Sequence, residues 1–182
     1  MEVIAMNEYK LGKVAGLSLS VEPLAIVGSI LLLVLLSSVA IGVLNLPVGE
    51  AIVGSLLAVI LHWVSDIAHH LGHAWAARRT GYPMIGIRLG KWGLLGTSLY
   101  LPDEQTLPAT THIRRALGGP TGSLLFSLVA AVTALVLRTV GGALWWMGVF
   151  FFLDNLVVFT LGAFLPLGFT DGSTLLQWWG KR

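Results

Sequence analysis

The stretch His69-His70-Leu71-Gly72-His73 decides how the chain is read. It places two histidines four residues apart near the end of a long apolar run. This is the spacing of H-E-x-x-H helices, in which the histidines hold zinc and the glutamate acts as general base. Here the glutamate position is His70. Residues i and i+4 of a helix have Cβ atoms roughly 5–6 Å apart, so His69 and His73 can reach one ion at about 2.0–2.1 Å per zinc–nitrogen bond. The metal-binding half of the pattern is intact and the catalytic half is altered.

The surroundings of this stretch are those of a membrane protein. Hydrophobic residues make up 55% of the 182 and charged ones only 11%, and the mean hydropathy is +0.84, which leaves too little polar surface for a soluble domain. A helix needs about 20 apolar residues to cross a hydrocarbon core, and four stretches are long enough: 24–44, 51–77, 117–137 and 143–165. The first is uncharged, and its apolar core exceeds the roughly 7–15 residues of a signal-peptide h-region, so it reads as a retained span. With no cysteine, neither a disulfide framework nor a thiolate metal site is available.

Charge orients the spans. Lys10 and Lys13 precede the first span, Arg78, Arg79, Arg88, Lys91, Arg114 and Arg115 lie between the second and third, and Lys181 and Arg182 close the chain, leaving Arg138 alone on the other side. The positive-inside tendency then predicts an integral multi-pass protein with both termini and the central loop cytoplasmic. The basic residues flank spans and form no separate basic domain, so the net charge of +2 gives no support to a nucleic-acid partner. The partner that composition and charge imply is the lipid bilayer.

The second span carries His62, Asp66, His69, His70 and His73. Ionisable groups are costly in hydrocarbon, so this cluster must face protein or water and is a functional-site hypothesis by default. His62 alone reads as a hydrogen-bonded core residue. His73 and His69 lie roughly 8 and 14 Å along the helix from Arg78, which places a metal within the membrane near its cytoplasmic face. Asp154 in the fourth span falls at the depth of His62 and Asp66 and is expected to pair with one of them, too far from Asp171 to share a metal.

Two histidines do not complete a zinc site, and the third ligand should come from another span at the same depth. The fourth span ends in Pro166-Leu167-Gly168-Phe169-Thr170-Asp171-Gly172, where Pro and Gly break the helix beside an acid. Residue chemistry leaves two readings of Asp171: a ligand on an Asp-Gly turn, or a cap for the terminal stretch 173–179 with its paired tryptophans.

Over about residues 51–180 the chain resembles the site-2 proteases, intramembrane zinc metalloproteases. Residues 68–83, from Ala68-His69-His70-Leu71-Gly72-His73 through Gly81-Tyr82-Pro83, are similar to the family's H-E-x-G-H-A-x-x-A-x-x-x-G-x-P signature. Ala116-Leu117-Gly118-Gly119-Pro120-Thr121-Gly122-Ser123 resembles its A-G-P-x-x-N segment, and Phe164-Leu165-Pro166 through Asp171-Gly172 its N-L-L-P…L-D-G ending. The resemblance implies zinc as cofactor, Asp171 as third ligand beside His69 and His73, position 70 as the catalytic base, and hydrolysis of peptide bonds in membrane-embedded substrates. Three polar positions depart from the pattern: His70 replaces the glutamate, Ser123 stands in place of an asparagine, and Ala163 occupies a second asparagine position. Loss of a general base typically costs about 10²–10⁴-fold in rate, so two functions from different classes follow: a protease of reduced or altered activity, and a non-catalytic zinc-binding pseudoprotease that holds transmembrane segments. A membrane di-iron oxidoreductase is a weaker third reading, since five histidines are few for two irons.

The expected fold is an all-α polytopic membrane protein of four transmembrane helices, with a short β-hairpin or flap between spans 2 and 3. The hairpin is predicted from the period-two pattern of 84–92, the turn at 93–96 and a second strand at 97–101. Its edge offers a place for an unwound substrate to add as a strand. Asp103, Glu104 and His112 read as solvated loop residues. Residues 1–20 read as a cytoplasmic tail ahead of a single membrane domain at 21–182.

Overall fold

The computed structural model describes residues 8–181. Four helical spans carry the chain: α1 (Leu24–Gly42), α2 (Val48–Arg79), α3 (Ala109–Leu137), and a fourth that begins as α4 (Gly142–Leu153) and continues to Phe164. All four are long and apolar enough to cross a membrane, and the chain is a multi-pass membrane protein. A short helix, α5 (Asp171–Trp178), follows. In α1 only Ala25, Gly28 and Ala40 are buried. It lies on the outside of the bundle and is tied to α2 by Trp63 Nε1, which donates to Ser29 Oγ at 3.0 Å.

Small residues set the central contact between α2 and α3. A Cβ on Gly72 would run into the Gly118 carbonyl and come within 3.2 Å of Gly122 Cα, and one on Gly118 would come within 2.6 Å of Ala76 Cβ. Lipid tails are as apolar as the helices, so close backbone approach through such positions, more than hydrophobic burial, holds membrane helices together.

The fourth span is not a uniform helix. From Asp154 to Leu161 it widens into a π-helix, and a 3-10 turn at Gly162–Phe164 ends it before Pro166. Thr160 Oγ1 donates to the Asn155 carbonyl five residues earlier at 2.8 Å. π-Helical segments are uncommon and gather at functional sites. This one turns Asp154, Asn155 and Phe159 into the bundle.

The predicted hairpin is present as β3 (Gly86–Lys91) and β4 (Leu95–Leu99), paired antiparallel. The all-α expectation needs correction, because these strands belong to a four-stranded sheet. β1 (Tyr9–Val14) and β2 (Leu17–Val21) form a second antiparallel hairpin, and β2 lies parallel to β3 with Ser18 opposite Gly86 and Val21 opposite Leu89. The stretch read as a tail over 1–20 is therefore structured from Tyr9 onward, while residues 1–7 of that reading lie outside the described residues. Its turn is Ala15-Gly16, with φ of 49° and 84°. Two positive φ values make a tight hairpin turn, normally signalled by Asn-Gly or Asp-Gly. Leu17, Ile87, Leu89 and Met84 pack with Ala74 and Ala77, fixing the sheet on one end of α2.

A bulky residue at the α2–α3 crossing should force the helices apart. Gly118→Val is expected to destabilise the protein by more than about 1–3 kcal/mol, the usual cost of overpacking, because the obstruction includes backbone. Gly49→Ala, where an added Cβ meets nothing within 4 Å, should leave stability unchanged or slightly higher. Thermal unfolding in detergent compares the two, and equal melting temperatures would contradict the tight crossing.

Candidate metal centre and the polar stripe of the second span

α2 presents His69 and His73 one turn apart, and the start of α5 brings Asp171 against them. The His69 and His73 Nε2 atoms are 3.0 Å apart, and each lies 3.4 Å from an oxygen of Asp171. Ligands about 2.0–2.1 Å from one tetrahedral zinc are about 3.3–3.4 Å from each other, so the triangle has the size of one ion's coordination face. The donor set of two imidazoles and a carboxylate is also that of catalytic zinc sites with an open fourth position. Gly119 of α3 faces the triangle: a Cβ there would run into Nε2 of both histidines. A glycine is what leaves that side clear.

The opposite ring nitrogens are held as ligating histidines require. His73 Nδ1 donates to the Arg115 carbonyl at 2.7 Å, and His69 Nδ1 lies 3.0 Å from Ser123 Oγ. A bond at Nδ1 fixes the ring and leaves Nε2 to coordinate. Ser123 stands in place of an asparagine in the sequence pattern, and here its hydroxyl holds the ring of His69. Ala163, the other departure, lines the neighbouring cavity and offers no hydrogen-bonding group. Thr170 is the N-cap residue of α5 and Asp171 its first helical residue, so Asp171 is not the cap, and its carboxylate faces His69 and His73. Burial opposes the charge on Asp171, but His73 and His69 outweigh it and hold the carboxyl down at about 2.

Position 70 is differently placed. His70 Nδ1 lies 2.9 Å from Ser98 Oγ on β4, and Nε2 is 3.6 Å from Asp66 Oδ1 one turn back on α2. It is one of three side chains on a stripe of α2 that meet β4 and the turn residue just before it in step. His62 Nε2 donates to the Leu94 carbonyl at 2.8 Å, Gly96 N–H donates to Asp66 Oδ1 at 3.0 Å, and His70 meets Ser98. On its other nitrogen His62 reaches Asp154 at 3.2 Å. The pairing expected between Asp154 and the second span is thus made, through His62. The edge expected to accept an added strand is partly taken, since the Leu94 carbonyl and the Gly96 N–H already have partners on α2.

A cavity of about 580 Å³ connects these groups, lined by Asp66, His69, His70, His73, Ser98, Tyr100, Phe159 and Asp171 among others. Two residues read as solvated belong to its rim. Glu104 forms a two-pronged ion pair with Arg115, at 2.8 and 2.5 Å, and that hydrogen bonding lowers its pKa. His112 stacks on Trp178 with ring centroids 4.2 Å apart. Glu104 is carried there by the loop before α3, whereas His112, expected in a loop, stands in the first turns of α3 itself. Sequence reasoning also passed over Asn155, buried between spans, whose Nδ2 donates to Ser65 Oγ and the Phe151 carbonyl at 2.8 Å each. Its signal was available: an amide beside an acid inside an apolar span.

Among the described residues, His69, His73 and Asp171 are the three metal-ligating side chains that converge on one point. A second such cluster, which a di-iron centre would call for, is not found among the described residues. The sequence matches no family model and no curated protein. Among solved structures the fold is similar to that of the Site-2 Protease from Methanocaldococcus jannaschii, with a TM-score of 0.60 over 94% of this chain and 70% of that one, at 18% identity. The likeness is one of fold.

Proposed function

We propose that the chain is a site-2-protease-like intramembrane zinc metalloprotease of reduced or altered activity, hydrolysing a peptide bond of a membrane-embedded protein or peptide. The observation that supports this most is the triangle of His69, His73 and Asp171, with ligand-to-ligand distances of 3.0, 3.4 and 3.4 Å. Zinc, when bound, would polarise the scissile carbonyl and acidify a water. The protein's own groups supply the rest. Ser123 and the Arg115 carbonyl keep the two imidazoles turned toward the centre, and Asp171 brings a negative charge that partly neutralises a dication. Val158, Phe159 and Leu165 line an apolar wall of the cavity and limit bulk water. His70 takes the place of the carboxylate base and shares that cavity. Orientation follows the basic residues, with both termini and the central loop on the cytoplasmic side.

A second reading, a zinc-binding pseudoprotease that holds transmembrane segments without cutting them, is favoured by one observation. Both ring nitrogens of His70 already face partners, Ser98 and Asp66.

The purified protein is expected to hold about one zinc per chain, as a single three-ligand set implies. Asp171→Ala and the His69→Ala/His73→Ala pair should each lower that content, read by elemental analysis. Undiminished zinc in the double variant would end the assignment.

His70→Glu separates protease from pseudoprotease. Restoring a carboxylate is expected to raise zinc-dependent cleavage of a helix-destabilised transmembrane substrate in liposomes by about 10²-fold or more, and Asp171→Ala should abolish the gain. If both the natural protein and the Glu variant bind zinc yet neither cleaves, the pseudoprotease reading replaces the first.

A further inference from the structure

We infer that Arg115 is a carboxylate receptor in the wall of the cavity, occupied by Glu104 in the free protein and taken over by an acidic side chain of the bound peptide. The inference rests on the proposed reading of the cavity as a peptide site. It adds the substrate feature that site selects: an Asp or Glu flanking the apolar segment.

Arg115 is fixed by the fold independently of Glu104. It stands on α3 with its side chain 7% exposed. Nη2 donates to the Tyr82 carbonyl at 2.5 Å, and the guanidinium lies 4.0 Å from the centre of the Tyr100 ring, a favourable seat for a cation. Glu104 comes from the loop between β4 and α3, and its side chain is 20% exposed. The two meet fork to fork, the geometry in which a guanidinium binds any carboxylate. The receptor is therefore built into the bundle, while its occupant is the more accessible partner. Withdrawing Glu104 alone would leave a buried positive charge uncompensated, which is strongly unfavourable. Exchange for another carboxylate avoids that cost. A neutral amide accepts a hydrogen bond but brings no charge.

Two further observations point to a ligand. A guanidinium has five N–H donors, and Glu104 spends both its oxygens on Nη1 and Nη2. Nε of Arg115 is left buried without a hydrogen-bond partner, an unmet donor that a purely structural ion pair has no reason to retain. Arg115 also lines the same cavity as His73 and Asp171, and its main-chain carbonyl holds His73 Nδ1. A carboxylate seated on its side chain thus anchors a peptide beside the metal triangle. Lys91 lines this cavity as well and adds positive charge, while Val158, Phe159 and Leu165 offer an apolar wall to the rest of the segment.

The test is binding of a fluorescein-labelled transmembrane peptide to the full-length protein in detergent, read by anisotropy. One peptide carries a glutamate at the end of its apolar segment, and its twin carries glutamine there. The natural protein is expected to prefer the glutamate peptide by about tenfold or more, as charge-assisted hydrogen bonds allow. Glu104→Gln removes the internal competitor, so it should bind the glutamate peptide still more tightly and the glutamine peptide as before. The free variant should melt at a lower temperature, restored by the glutamate peptide alone. Arg115→Lys keeps the charge and the main-chain carbonyl but loses the fork. It should hold zinc normally while its preference falls to about threefold or less. Equal affinities for the two peptides in Glu104→Gln would overturn the inference, as would a loss of melting temperature that both peptides or neither restore. Glu104 would then be a structural strap. None of these measurements needs cleavage or zinc. A protein that discriminates the peptides without holding zinc fails the metal reading alone, and one that holds zinc and cleaves without discriminating fails this inference alone.

Discussion

An ionisable side chain inside an apolar bundle must find a partner or lose its charge, and the arrangement around α2 follows from that constraint. His62, Asp66 and His70 recur every four residues, about 6 Å along a helix. Gly96 and Ser98 of β4, and Leu94 in the turn just before it, recur every two residues, a spacing of about 6.6 Å along a strand. The repeats are close enough for three successive rungs to form before they drift out of step. β4 is thereby held against α2 although an edge strand in an apolar setting exposes unpaired main-chain groups. The stripe satisfies the strand and the strand satisfies the stripe.

The same helix turns a second set of side chains toward α3, and there the constraint is space. Gly72 meets Gly118 and Gly122, so the backbones approach until the Arg115 carbonyl reaches His73 and Ser123 reaches His69. Gly119, next in line, leaves the room an ion would need. Helix packing and metal-site geometry are thus set by one run of small residues. Displacing α3 would disorient both imidazoles without touching either.

Much of this was readable beforehand. The four spans follow from apolar length, the β3–β4 hairpin from alternation and its glycines, and His69 and His73 from helical spacing. Asp171 needed the family resemblance, since an Asp-Gly turn serves equally well as a cap. What escaped had long-range causes. The β1–β2 hairpin turns on Ala15-Gly16, a weak turn signal, and β2 pairs with β3 about seventy residues away in sequence. Glu104 and Ser123 found their partners only through the fold, which sets Arg115 of α3 beside Glu104 and Ser123 of α3 beside His69 of α2. The π-helix at Asp154–Leu161 has no periodicity of its own in so apolar a segment.

The departure at position 70 belongs with Asp66. A glutamate at 70 would set two carboxylates one turn apart on the same buried face, and like charges at that spacing repel, more so where water cannot screen them. An imidazole there can instead donate toward Asp66 and keep its other nitrogen for Ser98. The residue that breaks the zinc-protease motif is therefore the one that fits its neighbours. The carboxylate absent from position 70 stands one turn earlier on the same helix, facing β4 rather than the metal triangle. Asp66 and His70 lie on the α2–β4 side of the cavity, His69, His73 and Asp171 lie on the α2–α3 and α2–α5 side, and His70 adjoins both.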